Sequence, residues 1–78
     1  MSLKKELEGA QVVKEDKKNK FTIAWFGGHG IHVYNGKGKE VAFWNVESAQ
    51  DSLTKEEAEQ SIDKNINTSE YLNLIEDY

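Results

Sequence analysis

Two histidines, His29 and His32, and the glycine cluster Gly27-Gly28-His29-Gly30 are the residues whose types invite a search for chemistry. A metal site needs three or four ligands converging on one point. In an extended strand a separation of three sends two rings to opposite faces, and no cysteine or adjacent acid completes the shell. General-base catalysis by His32 needs a nucleophile and an orienting carboxylate within hydrogen-bond reach. Glu40 is a diagonal neighbour across the expected hairpin, but no serine, threonine or lysine aligns with the pair. The glycine cluster precedes a strand, whereas phosphate-binding loops open a helix and carry a following lysine and hydroxyl. It reads as hairpin chemistry. The acidic pairs Glu56-Glu57 and Glu76-Asp77 are adjacent on helices, so their carboxylates do not face each other as an acid/base couple. The expectation is therefore no catalytic residue, no metal ligand and no cofactor: a protein that is not an enzyme.

What remains is binding, and the candidates are aromatic and charged side chains. The strand signal is strongest from Lys20 to Val46, where β-branched and aromatic residues alternate between glycine clusters. Three strands are expected, over 20 to 26, 31 to 35 and 39 to 46, and Gln11 to Glu15 adds a short edge strand before the turn Asp16-Lys17-Lys18-Asn19. A two-residue turn at Asn35-Gly36 would set Val33 against Gly38 and waste the core. A type I turn over Asn35-Gly36-Lys37-Gly38 with a left-handed Gly38 pairs Asn35 with Lys39, Val33 with Val41 and Ile31 with Phe43. The same logic at the glycine cluster sets Trp25 opposite Val33. One face then carries Phe21, Ile23, Trp25, Ile31, Val33, Val41 and Phe43, and the reverse carries Thr22, Ala24, Phe26, His32, Tyr34, Ala42 and Trp44.

After a polar stretch from Glu47 to Ser52, Leu53-Thr54-Lys55-Glu56-Glu57-Ala58 announces a helix. Thr54 fits the N-cap, Glu57 the third helical position of a capping box, and Leu53 with Ala58 a hydrophobic staple. The helix runs to about Ile66 on a narrow stripe of Ala58, Ile62 and Ile66, Asn67 ends it, and Ser69 caps a last short helix bearing Tyr71, Leu72 and Ile75. Ser2 to Glu8 supplies one or two helical turns stopped by Gly9, with residues 1 to 10 a mobile segment of a single domain spanning 1 to 78. The fold class is α+β: an antiparallel meander of three strands, or four, followed by one main and one short C-terminal helix packed on one sheet face.

Composition narrows the partners. All ten basic residues are lysine, and lysine-rich, arginine-free usage fits a low-GC bacterium or its phages. A sequence-reading nucleic-acid interface without the arginine fork would be unusual. Residues 1 to 45 hold eight lysines against five acids, and 46 to 78 hold two lysines against nine acids, which together give the net charge of −4. An acidic helix could face a basic partner, or the layout is simply a dipolar solvated surface. The absence of cysteine fits a reducing cytoplasm. An uninterrupted apolar run such as Ile23 to Phe26 falls far short of the roughly 20 residues of a membrane span, and the polar opening residues give the expectation of no signal region.

The leading expectation is a small protein-binding domain, an inhibitor or adaptor from a phage or mobile element. It would dock through the aromatic set Phe26, His32, Tyr34 and Trp44 or through the acidic Glu56 and Glu57. Alternatively, Leu3, Leu7 and Val12 of the N-terminal segment fold over those aromatics and bury them. A second function class is nucleic-acid binding. The strands followed by Leu53-Thr54-Lys55-Glu56-Glu57-Ala58 resemble the arm-type DNA-binding domain of tyrosine recombinases, over about half of the chain. That resemblance implies a sheet entering the major groove, with Lys18, Lys20, Lys37 and Lys39 on phosphates. The chain departs from the family in having no arginine, an acidic helix and a longer connection before the helix. Homo-oligomerisation through an edge strand or the aromatic face is a third possibility.

Overall fold

A computed structural model describes residues 7–46 and 53–75. The helical turns expected over Ser2 to Glu8 lie mostly outside those residues. The connection from Glu47 to Ser52 and the pair Glu76-Asp77 lie wholly outside them.

The chain forms a four-stranded antiparallel meander in sequence order, β1 (Val12–Asp16), β2 (Phe21–Trp25), β3 (Gly30–Tyr34) and β4 (Glu40–Asn45). It is followed by α1 (Lys55–Thr68) and a 3-10 helix (Glu70–Leu74). The expected α+β class therefore holds, with the edge strand at Val12 present. Helix α1 opens as its sequence requires: the Glu57 amide donates to Thr54 Oγ1 at 3.1 Å, and the Thr54 amide donates back to Glu57 Oε1 at 2.9 Å. Leu53 and Ala58, the two staple positions, are both buried in the core. The end of the helix differs from expectation. It continues to Thr68, and Ser69 stops it in a left-handed conformation, φ 58°, without a side-chain cap on the 3-10 helix.

Both helices cover one face of the sheet. Val12, Ile23, Trp25, Ile31, Val33 and Ala42 meet Leu53, Ala58, Ile62 and Tyr71 in one apolar cluster. Tyr71, 1% exposed, is the largest fully buried side chain. Its hydroxyl donates to Asp16 Oδ2, and Asp16 also accepts from the Asn19 side chain at 2.8 Å and the Asn19 amide at 3.2 Å. Burial pushes the Asp16 carboxyl up, but the hydrogen bonds from Tyr71 and Asn19 outweigh it and hold the group below its ordinary 3.8. This network ties the β1–β2 turn to the C-terminal helices, and Asn19 reaches Ser69 Oγ at 3.4 Å.

Two registers differ from expectation. At the glycine cluster, Trp25 pairs with Ile31 and Ile23 with Val33. The strands have slid by two residues, which leaves every side chain on its expected face. The longer connection is held by Trp25 Nε1 donating to the Gly28 carbonyl at 2.8 Å and by Gly27 at φ 101°, where a Cβ would lie 2.6 Å from Gln11 Nε2. The β3–β4 turn forms as expected. Asn35 Oδ1 accepts from the Lys37 and Lys39 amides, Gly38 adopts φ 85°, and the Asn35 amide donates to the Lys39 carbonyl at 2.9 Å. One step further the expected pairing fails. Tyr34 pairs with Glu40 but Val33 pairs with Ala42, so Val41 is an extra residue in a β-bulge. Val33 and Ile31 thus oppose Ala42 and Trp44 rather than Val41 and Phe43.

Candidate interaction surface

The bulge decides which side chains the sheet offers to solvent. Because an extra residue reverses side-chain parity, everything beyond Val41 on β4 exchanges faces. Val41, Ala42, Trp44 and Val46 all join the helix-covered cluster, while Phe43 and Asn45 point the other way. Without the bulge, the helix side would receive Val41, Phe43 and the polar Asn45, and would lose Trp44 and Val46. The irregular strand therefore buries more apolar surface, which is its driving force.

Trp44, expected among the reverse-face aromatics, is corrected to the core side. Its Nε1 donates to Ser61 Oγ on α1 at 3.2 Å, and its ring lies 6.3 Å from that of Tyr71. Phe43 takes its place on the reverse face, 43% exposed. The edge of the Phe43 ring sits over Gly30, in space that a side chain would fill: a Cβ there would meet Phe43 Cε2 at 2.3 Å, and the ring would have to swing away. Phe43 is 4.9 Å from His32, ring centre to ring centre, and Phe26 meets His32 edge-on at 5.3 Å. Tyr34 stacks on the other side of His32 at 6.5 Å but is itself buried, as are Thr22 and Ala24. His32 Nδ1 is hydrogen-bonded to Glu40 Oε1, the diagonal neighbour noted in the sequence. Val13, opposite Ala24, is 44% exposed on the same face.

The open part of the reverse face is thus Val13, Phe26, His32 and Phe43. Of the expected set, Phe26, His32 and Tyr34 are together, Trp44 is not, and Phe43 and Val13 were missed. A signal for Phe43 did exist: in Trp44-Asn45-Val46 the asparagine belongs outside, which forces Phe43 outside with it.

The acidic candidates lie elsewhere. Glu56 is exposed in the first turn of α1, and Glu57 is engaged in the capping box. This turn is near the β2–β3 connection, where the Leu53 amide donates to the Gly28 carbonyl at 3.3 Å. The sheet lies between this turn and Phe43, which is on the face the helices leave open. The lysine candidates do converge: Lys18 and Lys20 in the β1–β2 turn and Lys37 and Lys39 around the β3–β4 turn are exposed at the same end of the sheet.

Among the described residues, no group of three or more His, Cys, Asp or Glu could hold a metal ion, and no helix is long and apolar enough to cross a membrane. No protein-family model matches the chain, and no significant match links it to a curated protein or a solved structure.

Proposed function

We propose that this chain is a protein-binding domain that docks through the reverse face of its sheet, around Phe43, His32, Phe26 and Val13. The observation that carries this reading is Phe43. The bulge that gives the core Trp44 leaves a phenyl ring 43% exposed, with its edge against Gly30 and its ring packed on His32. An anchored aromatic ring loses little conformational freedom on binding, which is what an interface anchor needs. Two further apolar side chains, Val13 and Phe26, extend the patch across the sheet. Within this reading the chain is an inhibitor or adaptor of a phage or mobile element, the source that its arginine-free, lysine-rich composition favours.

The reading is tested by capturing partners on the immobilised protein and measuring the purified pair by calorimetry. A specific partner should bind the wild type and lose at least about tenfold in affinity to Phe43→Ser, as expected for an anchor residue. Equal binding by the wild type and a folded Phe43→Ser protein would remove the reverse face as the docking surface.

A further inference from the structure

We infer that the lysine-bearing end of the sheet is the polar half of the same docking surface and that it selects an acidic polypeptide segment. This rests on the docking reading above and names the partner's chemistry. A meander in the order β1-β2-β3-β4 places its first and third turns at the same end. Here those turns carry Lys17, Lys18 and Lys20, and Lys37 and Lys39, all exposed. With strands about 4.8 Å apart, turns centred two strands from each other lie about 10 Å apart. The sequence separates these lysines by up to 22 positions, but the topology makes them one cationic edge.

Among the described residues, no ion pair engages this edge: Lys14 pairs with Asp63, at 3.7 Å, and His32 with Glu40, and neither involves these five lysines. Asp16, at the base of the first turn, is buried and accepts from Tyr71 and Asn19 instead. Lys37, in the turn that leads into β4, is six residues from Phe43, at most about 20 Å along the chain, so one extended segment can reach both.

Charge complementarity calls for an anion, and the residues between the two halves favour carboxylates over a phosphate chain. Glu15 and Glu40 are exposed on the reverse face between the lysine turns and Phe43. A nucleic-acid strand running from the lysines to the aromatics would lay continuous negative charge over both glutamates. A polypeptide can place its acids at the lysines and an apolar side chain at Phe43.

The test titrates the isotope-labelled full chain with an oligoglutamate and, separately, an oligothymidylate of matched charge, followed by amide NMR at low salt. Oligoglutamate should shift the amides of residues 17–20 and 36–39, and the effect should fade with added salt. The charge reversal of Lys18→Glu with Lys37→Glu should weaken it at least about tenfold, and Lys18→Gln with Lys37→Gln should fall between. Tighter binding of oligothymidylate at the same amides would overturn the inference in favour of nucleic acid, and no shift with either probe would overturn it outright. Phe43→Ser should leave the oligoglutamate response within about twofold, because the probe has no apolar group. A partner that needs Phe43 but ignores both lysine variants would sink this inference and leave the docking reading standing. An oligoglutamate response without any Phe43-dependent partner would do the reverse.

Discussion

The two faces of one four-stranded sheet have been treated differently by the same chain. On the helix side, Ile23, Ile31 and Val33 are fully buried under Ala58, Ile62 and Tyr71, and the buried carboxylate of Asp16 has a complete set of donors. On the reverse side, the middle of the sheet, at Thr22, Ala24 and Tyr34, is buried, while Val13 and Phe43 remain exposed at its margins. A chain of this size has a limited supply of large apolar side chains. Placing Phe43 outside when a bulge could be used to place Trp44 inside shows where the stabilising surface was concentrated. Stability and surface are thus assigned to neighbouring residues on one strand.

The largest effect should come from substitutions that exchange those roles. Trp44→Ala removes a ring packed on Tyr71 and a hydrogen bond to Ser61, and should cost about 3 kcal/mol in urea unfolding. Phe43→Ala should cost less than about 1 kcal/mol, since much of its ring already faces water. Similar losses for the two variants would break the contrast between the faces.

Next in size is the polar network at the edge of the core. Asp16→Asn should cost about 1–3 kcal/mol at neutral pH by weakening the hydrogen bonds from Tyr71 and Asn19. The folded-state carboxyl is held below its unfolded value, so its contribution is present above about pH 4 and is lost as pH falls through the lower folded value. The wild-type advantage over Asp16→Asn should therefore be constant near neutrality and shrink below about pH 4. An advantage unchanged into that acid range would contradict the network.

Two smaller effects sharpen the contrast because they touch neither face directly. Thr54→Ala breaks the capping box and should cost about 1 kcal/mol. Lys20 holds φ 64°, a conformation that glycine adopts without strain. Lys20→Gly should leave stability unchanged or raise it by up to about 1 kcal/mol, read from the urea midpoint.

Legibility in the sequence followed the range of the interaction. Local chemistry was readable: Thr54 and Glu57 announced their helix start, and Asn35 with Gly38 announced their turn, because the residues that form each feature are three positions apart. Side-chain parity on β2 and β3 was readable too, even though the register slid by two, because a shift of two conserves faces. The bulge at Val41 was not, since it answers to packing against α1 and the 3-10 helix, which lie far along the chain. Its trace was Asn45, whose polarity fits only the reversed parity. The partnership of Asp16 with Tyr71, 55 residues away, had no local signature, and Asp16 read as an ordinary turn residue.

The parity reversal at Val41 is the claim on which the proposed surface depends, and proton–proton NOEs read it directly. Contacts are expected from the Phe43 ring to the His32 ring and the Gly30 α-protons, and from the Trp44 indole to Ser61 and Tyr71. Contacts from Phe43 to Ile62 or Tyr71, with Trp44 against His32, would contradict it and return the strand to regular pairing.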